Sequence, residues 1–164
     1  MAGLDGRRSA TLDAGRSGAV FAYGTLMFAE VVAAVTGLAI AGRSGRIDGY
    51  ARFRVRGAVY PGIRPWAGGC VHGVLYPEVS ARSLRLLDLF EGDLYRRQVI
   101  SVWTGDGDEK RAHAWVVRPS QCRRLSDRGW EPELFRRRHL RRYLGRIGRF
   151  PARAAARRPL WSPG

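Results

Sequence analysis

Apolar and polar residues alternate in short blocks along this chain, and the blocks predict several short strands broken by glycine. Residues 19–26, with the sequence AVFAYGTL, form an apolar run that ends in Gly-Thr, as in a buried strand that enters a turn. Residues 45–55 and 69–77 alternate with a period of two but contain glycines, which predicts bulged or strongly bent strands. The segment between them, residues 57–69, is rich in Gly and Pro and is predicted to be a structured loop or an irregular edge.

Three other segments carry helical patterns. Residues 27–37 contain helix-forming residues and stop at a glycine. Residues 81–91 have leucines at helical spacing, between a good N-cap residue at Ser80 and a good C′ residue at Gly92. Residues 130–147 predict one basic helix with an apolar side.

Two more strands are predicted at residues 97–103 and 111–117, joined by a hairpin turn, which brings the total to five or six. Short, glycine-broken strands with helices in irregular order favour an α+β fold, a small mixed β-barrel with flanking helices, over a doubly wound sheet. At 164 residues the chain has the size of one domain. We expect this domain at residues 19–149, a disordered leader at 1–18 and a disordered basic tail at 150–164.

The net charge of +15 is concentrated near one end of the chain. Residues 118–164 hold fourteen arginines and three acidic residues, whereas residues 20–117 carry only three net positive charges. Arginine outnumbers lysine 28 to 1, a skew typical of a GC-rich coding bias. A solvated basic face with a basic tail is therefore favoured over a nucleic-acid-binding groove.

The sequence gives no sign of export, membrane insertion or metal binding. No window approaches the ~18 apolar residues that a membrane span needs, and Arg7-Arg8 is not followed by an apolar segment. The two cysteines, Cys70 and Cys122, are too few for a disulfide framework or a metal site, so a reducing cytoplasm is expected. The three histidines do not stand at metal-ligand spacing.

One carboxylate lies on the apolar face of a predicted helix. Leu84, Leu87 and Glu91 are spaced three and four residues apart and share a face. If that face packs inward, burial and the partial negative charge of the helix C-terminus both raise the pKa of Glu91. A raised pKa is what a general acid/base needs near neutral pH. Alternatively, the helix ends one residue earlier and Glu91 is a solvated surface residue.

The first strand ends in a second candidate feature, Tyr23, Gly24, Thr25 and Leu26. A strand that turns into a helix leaves unpaired backbone N–H groups, which bind a carboxylate, a phosphate or a developing oxyanion. Gly24 is expected to let the backbone approach a ligand closely. Taken alone, the segment is also compatible with a plain strand-to-helix turn.

Four motifs occur in a characteristic order. Tyr-Gly-Thr-Leu at residues 23–26 is followed by Tyr-Pro-Gly at 60–62, Gly-x-Leu-Tyr at 73–76 and Leu-Asp-x-Phe-Glu-Gly-x-x-Tyr at 87–95. Together they resemble the gamma-glutamylcyclotransferase-like superfamily, and within it the branch typified by the plant avirulence-induced proteins. The resemblance covers roughly residues 19–145.

The resemblance implies a small mixed β-barrel with a cavity at one mouth. It implies that the backbone of residues 23–26 holds a glutamyl moiety, that Glu91 is the general acid/base and that Tyr95 lines the pocket. Tyr60 and Pro61 fall where a cavity-lining loop is expected. The implied reaction releases 5-oxoproline and a free amine from a γ-glutamyl amine, a peptide or a γ-glutamyl-protected biosynthetic intermediate. Because the substrate's own α-amine attacks, no protein nucleophile, metal or cofactor is required.

A second class of function stays open at this point. A non-catalytic binding or regulatory module of the same fold would use its basic C-terminal helix, residues 136–149, on nucleic acid or another anionic partner. A salt-sensitive affinity for DNA or RNA would support that hypothesis. The resemblance instead implies a small γ-glutamyl substrate, and the charge distribution argues against a nucleic-acid partner. No membrane partner is expected. The leaving amine and the oligomeric state stay open.

Overall fold

The computed structural model describes residues 16–148 and 150, and within them five strands close into a barrel. The strands are β1 (Gly18–Ala22), β2 (Arg43–Arg54), β3 (Pro61–Val79), β4 (Tyr95–Thr104) and β5 (Glu109–Val117). Around the barrel they follow the order β1-β3-β2-β4-β5, and a parallel contact between Val20 and His113 joins β5 to β1. The other neighbouring strands are antiparallel. The predicted α+β fold, a small mixed barrel with flanking helices, is confirmed.

Four α-helices flank the barrel in the described part of the chain. They are α1 (Ala29–Thr36), α2 (Ala81–Glu91), α3 (Pro132–Arg138) and α4 (Leu140–Ile147). α1 ends at Gly37, which has a left-handed φ of 77°. α2 begins after Ser80, whose Oγ accepts a hydrogen bond from the Ser83 N–H at 3.1 Å, and ends at Gly92 with a φ of 67°. The ends predicted for these two helices are therefore confirmed.

Buried apolar side chains form two clusters, one on each side of the barrel wall. The first consists of strand residues inside the barrel, among them Phe21 and Ile47, together with Tyr23 just after β1. The second lies between the barrel and the helices and includes Val20 and Ala22, the sequence neighbours of Phe21. Because successive strand residues face opposite sides, β1 contributes to both clusters. Burial of apolar surface thus holds the helices against the barrel.

Residues 57–60 connect β2 and β3, and residues 66–69 have no partner in β2. Residues 61–65, however, form the start of β3, so the predicted loop or irregular edge at 57–69 is wrong for this part. This part of β3 pairs with β2, with Arg54 opposite Pro61 and Tyr50 opposite Pro65. The prediction relied on the local preferences of glycine and proline. Pairing with a neighbouring strand overrides those preferences, because the ladder and its side-chain contacts stabilise the extended backbone.

The predicted bulge in these strands is confirmed at Gly49. The register of β2 against β3 shifts between Asp48 and Tyr50. Gly49 has a φ of 80°, a backbone conformation that glycine adopts at little cost. Between the pairs Asp48–Cys70 and Tyr50–Pro65, β2 has one residue and β3 has four, residues 66–69. The extra residues therefore lie on β3, and they bend the long hairpin at this point.

The single basic helix predicted at residues 130–147 is two helices, α3 and α4. The backbone breaks at His139, where φ is −127° and ψ is −30°. Phe135 and Leu140 lie on either side of the break and are both buried. Five residues of continuous helix would turn them to different faces, whereas the break lets both face the core.

The ends of the chain lie largely outside the described residues. Most of the predicted leader (1–18) and tail (150–164) is therefore not described, although Gly18 begins β1 and the ring of Phe150 lies 5.4 Å from that of Phe90. Within residues 16–148 and 150, no helix combines the length and apolar character that a membrane crossing requires. The same residues hold no group of three or more His, Cys, Asp or Glu side chains placed to bind a metal ion.

A methyl group at Gly73 is expected to destabilise the barrel. A Cβ atom there would overlap the backbone oxygen of Ala22 and lie 2.7 Å from Cζ of Phe21, so β1 and β3 would have to move apart. We expect Gly73→Ala to lower the free energy of unfolding by about 1–3 kcal/mol, measured by urea unfolding. Gly105→Ala is the matched control, because a Cβ there meets nothing within 4 Å. Equal unfolding midpoints for the two variants would contradict the packing argument.

Candidate active site

A cavity of about 150 Å³ opens at the end of the barrel where β1 ends and β3 and β4 begin. All eight residues singled out by sequence line it: Tyr23, Gly24, Thr25, Leu26, Tyr60, Pro61, Glu91 and Tyr95. The other lining residues are Phe21, Ala22, Phe90, Leu94, Trp115, Arg124 and Tyr143. A single cavity thus gathers side chains from both ends of the described chain.

α2 carries Glu91 into this cavity. Leu84 and Leu87 are 1% and 2% exposed, and they anchor the inner face of the helix in the core. The helix includes Glu91 and ends at Gly92, so the carboxylate continues the face that the two leucines define. The alternative that Glu91 is a solvated residue beyond the helix is wrong, since its side chain lines the cavity.

Burial is the main reason that the pKa of Glu91 rises from its ordinary value of 4.5 to about 8. Asp88, one helical turn earlier, is the second cause, because a nearby negative charge disfavours ionisation of Glu91. Asp88 accepts a hydrogen bond from the Nε1–H of Trp115 at 3.1 Å and forms an ion pair with Arg97 at 3.4 Å. The pKa of Glu91 is raised, as predicted. The negative charge that contributes to this rise is the Asp88 carboxylate, whereas the sequence had suggested the helix C-terminus.

Four tyrosines line the cavity, and Tyr23, Tyr95 and Tyr143 are the three whose hydroxyls are deeply buried. Tyr23 and Tyr95 each donate a hydrogen bond to a backbone carbonyl, that of Trp115 and that of Pro61 respectively. Burial raises the pKa of both hydroxyls well above the ordinary value and raises the pKa of Tyr143 to about 12. These phenols stay neutral at physiological pH, so proton acceptance in the cavity falls to Glu91.

The backbone after β1 forms the opposite part of the cavity wall. It runs into a 3₁₀ turn at Thr25–Met27, whose first hydrogen bond joins the Met27 N–H to the Gly24 carbonyl at 3.0 Å. The N–H groups of Gly24, Thr25 and Leu26 precede that bond and take no part in it. Such N–H groups are suited to bind a carboxylate or a developing oxyanion.

Arg52 binds the backbone at the start of this turn, and the sequence did not predict this contact. Its Nη1 donates to the carbonyls of Tyr23 at 2.7 Å and His72 at 3.3 Å, and its guanidinium lies 5.4 Å from the ring centroid of Trp130. The Tyr23 carbonyl shares a peptide group with the Gly24 N–H, so the positive charge makes that N–H a stronger donor. An arginine in an alternating strand carries no local signal of such a contact.

Gly24 is in close contact with Pro61. A Cβ atom at Gly24 would lie 2.9 Å from Cγ of Pro61, so the proline ring packs directly on the turn. The Tyr-Gly-Thr-Leu and Tyr-Pro-Gly motifs therefore meet at this contact. The close approach of a ligand to Gly24 stays a prediction.

The family model for gamma-glutamyl cyclotransferase, AIG2-like proteins matches residues 20–132, more than half of the chain. The chain belongs to this family. One relative, AIG2-like protein A of Arabidopsis thaliana, is 32% identical over 100 residues, which are 59% of this chain. The match spans only 61% of that relative's own length.

Solved structures share the fold of this AIG2-like chain. A solution structure of an Arabidopsis thaliana protein aligns with a TM-score of 0.63 at 22% identity and covers 91% of this chain and 96% of that one. A structure named gamma-glutamyl cyclotransferase aligns with a TM-score of 0.59 at 17% identity and covers 90% and 92%. At these identities the likeness shows the fold. The predicted family and barrel architecture are both confirmed.

The cavity of this family member extends beyond the segment that the family model matches. The match ends at residue 132, yet Tyr143 of α4 lines the cavity, and its hydroxyl lies 3.4 Å from Oγ1 of Thr25. The sequence pattern predicted a helix with an apolar side at residues 130–147, and Tyr143 belongs to this segment. It did not indicate that the helix packs against the first turn, which lies more than a hundred residues earlier.

The basic surface that could bind an anionic partner, under the alternative hypothesis, is the outer face of α3 and α4. Its exposed arginines are Arg136, Arg137, Arg138, Arg141, Arg142 and Arg146. Phe135 and Leu140 are buried on the opposite side. This arrangement is typical of a solvated basic face. Binding of nucleic acid or another anionic partner at this surface stays a prediction.

Proposed function

We propose that this protein is a gamma-glutamylcyclotransferase that releases 5-oxoproline and a free amine from a γ-glutamyl amide. The observation that carries the proposal is the Glu91 carboxyl, which faces the same small cavity as the Tyr-Gly-Thr-Leu turn and has a pKa of about 8. Membership of the AIG2-like family supports the same reaction class. We assign Glu91 the role of general acid/base and the N–H groups of residues 24–26 the role of oxyanion or carboxylate donors.

The reaction balances without water, metal or redox change. The Glu91 carboxylate accepts a proton from the substrate's α-ammonium group, and the freed amine attacks the γ-carbonyl carbon. A carbon–nitrogen bond forms, and the negative charge on the oxygen is stabilised by the turn N–H groups. The bond to the leaving amine then breaks while Glu91 returns the first proton to that nitrogen. The attacking nitrogen loses a second proton as it becomes the lactam N–H, and Glu91 passes this proton to the free amine, which departs as an ammonium ion. The attack is intramolecular, so the protein's main task is to hold the substrate in a reactive conformation.

The pH profile is expected to report the environment of Glu91. We expect kcat/KM to increase with pH, and this rising limb of the profile should have its midpoint near pH 8. The reason is that Glu91 must be deprotonated to accept the ammonium proton. Asp88→Asn removes the negative charge that helps to raise the pKa of Glu91, so the limb should move to lower pH. Wild type and Asp88→Asn are assayed with the same substrate, so that the ionisation of the substrate affects both pH profiles equally.

Asp93→Asn is the matched control for this profile. Asp93 is exposed and lies outside the cavity lining, two residues beyond Glu91. Its neutralisation should leave the limb in place. A limb that does not move in Asp88→Asn would contradict the assigned cause of the shift.

A release assay tests the proposed reaction directly. The protein is incubated with γ-glutamyl amines, γ-glutamyl amino acids and γ-glutamyl-protected biosynthetic intermediates, and 5-oxoproline is detected by mass spectrometry. Product above the uncatalysed rate supports the proposal and ranks the leaving amines. Absence of product with every compound would contradict it. The alternative, a non-catalytic module that binds nucleic acid, would then be tested by a salt-dependent titration with DNA and RNA.

A further inference from the structure

Arg124 brings a positive charge to the edge of the cavity. It is the last residue of the 3₁₀ turn Pro119–Arg124 that follows β5. The backbone here is fixed, because the Arg124 carbonyl accepts a hydrogen bond from the Arg56 N–H at 2.8 Å and the next residue, Leu125, pairs with Val55. Leu125 is buried, whereas the side chain of Arg124 is exposed and lines the cavity.

The guanidinium of Arg124 is available to a ligand. Among the described residues that line the cavity, Glu91 and Arg124 are the two with a formal charge. Within the described chain, the Arg124 side chain makes no ion pair and no hydrogen bond. Arg52, the other cation near the turn, is already bonded to two backbone carbonyls.

Arg124 and Glu91 occupy different parts of the cavity. Within the described residues, the guanidinium of Arg124 forms no ion pair with the carboxylate of Glu91. Glu91 is only partly accessible, whereas Arg124 is exposed at the rim. A substrate whose reacting amide lies beside Glu91 would therefore extend its leaving amine toward Arg124. The turn N–H groups remain for the glutamyl half.

We infer that Arg124 selects γ-glutamyl amides whose leaving amine carries a carboxylate, which are γ-glutamyl amino acids and peptides, over those with an uncharged amine. This inference rests on the proposed cyclotransferase function. The guanidinium presents paired N–H donors whose geometry matches a carboxylate. Since Arg124 is at the rim, solvent and salt screen the interaction and keep its contribution modest.

The test compares two substrates that differ at one group, γ-glutamyl-alanine and γ-glutamyl-alaninamide. Their kcat/KM ratio is measured by 5-oxoproline release for wild type, Arg124→Gln and Arg123→Gln. We expect Arg124→Gln to lower the preference for the carboxylate substrate about tenfold, the scale of one charge-assisted hydrogen bond. Arg123, its exposed neighbour in the same turn, lies outside the cavity lining, so Arg123→Gln should keep the wild-type ratio.

The outcomes separate this inference from the proposed function. If all proteins release 5-oxoproline and the ratio is unchanged in Arg124→Gln, the inference is overturned and the proposed function stands. If the wild-type protein turns over neither compound, the proposed reaction does not occur with these two substrates. Calorimetric measurement of the binding of the two compounds then decides the role of Arg124. A binding preference for the carboxylate that Arg124→Gln removes would support that role, and equal binding would overturn it.

Discussion

Replacing Glu91 by glutamine is expected to lower kcat for 5-oxoproline release by about 10²–10⁴-fold while the protein stays folded. Glutamine is nearly isosteric, but its amide cannot take the proton from the substrate ammonium. Leu84 and Leu87 still anchor α2, so the helix should keep its position. Glu78→Gln makes the same chemical change on an exposed residue of β3 and should retain wild-type activity. A Glu91→Gln protein with the wild-type rate on a verified substrate would refute the acid/base role.

The same variant should be more stable than wild type at alkaline pH. Folding raises the pKa of Glu91 from 4.5 to about 8, so between these values the folded state holds a proton that the unfolded state has lost. Wild-type stability therefore decreases as pH rises through this range, by at most a few kcal/mol at about 1.4 kcal/mol per pKa unit. Glutamine carries no such penalty. Melting temperatures at pH 5 and pH 9 should show the Glu91→Gln advantage only at the higher pH.

Phe135→Ala is expected to lower the free energy of unfolding by about 3–5 kcal/mol. Phe135 is 1% exposed, and its ring lies within 5.5 Å of the rings of Phe28, Trp130 and Tyr143. Truncation leaves a cavity between α1 and the C-terminal helices and removes the aromatic contact that holds Tyr143 in place. Urea unfolding measures the loss of stability, and the affinity for a verified substrate measures the effect on the cavity wall.

Leu134→Ala provides the comparison for Phe135→Ala. Leu134 precedes Phe135 on α3 but is 41% exposed, so its truncation should cost below about 1 kcal/mol. If both variants unfold at the same urea concentration, the aromatic cluster does not stabilise the C-terminal helices as argued. If Phe135→Ala is destabilised but keeps full substrate affinity, α4 is not needed to shape the cavity.

The features that the sequence predicted correctly depend on neighbours close along the chain. The start of α2 at Ser80 and its end at Gly92 follow from capping and from a φ that glycine tolerates. The inward direction of Glu91 follows from the spacing of two leucines on the same helix. The β4–β5 hairpin follows from two alternating segments around a short polar turn. In each case a few consecutive residues carry the physical cause.

Motif order predicted the family and eight cavity residues, but it predicted neither their distances nor their electrostatics. The pKa of Glu91 depends on burial that several separate segments create together and on Asp88, which Trp115 and Arg97 hold in place. Arg52 meets Tyr23 across 29 positions of sequence, and Tyr143 meets Thr25 across 118. No local pattern encodes such contacts.

Two predictions failed because tertiary contacts outweighed local preference. Residues 61–65 are rich in Gly and Pro but are extended, since β2 supplies the pairing partner. The basic segment 130–147 has continuous helical character, but it breaks at His139 so that Phe135 and Leu140 both reach the core. The sequence by itself determined where most elements begin, which faces are apolar and which motifs accompany one another, because backbone sterics and hydrogen bonding act over a few residues. The tertiary structure decided which charges are buried together and which segments enclose the cavity, because close packing brings distant residues into contact and removes them from water.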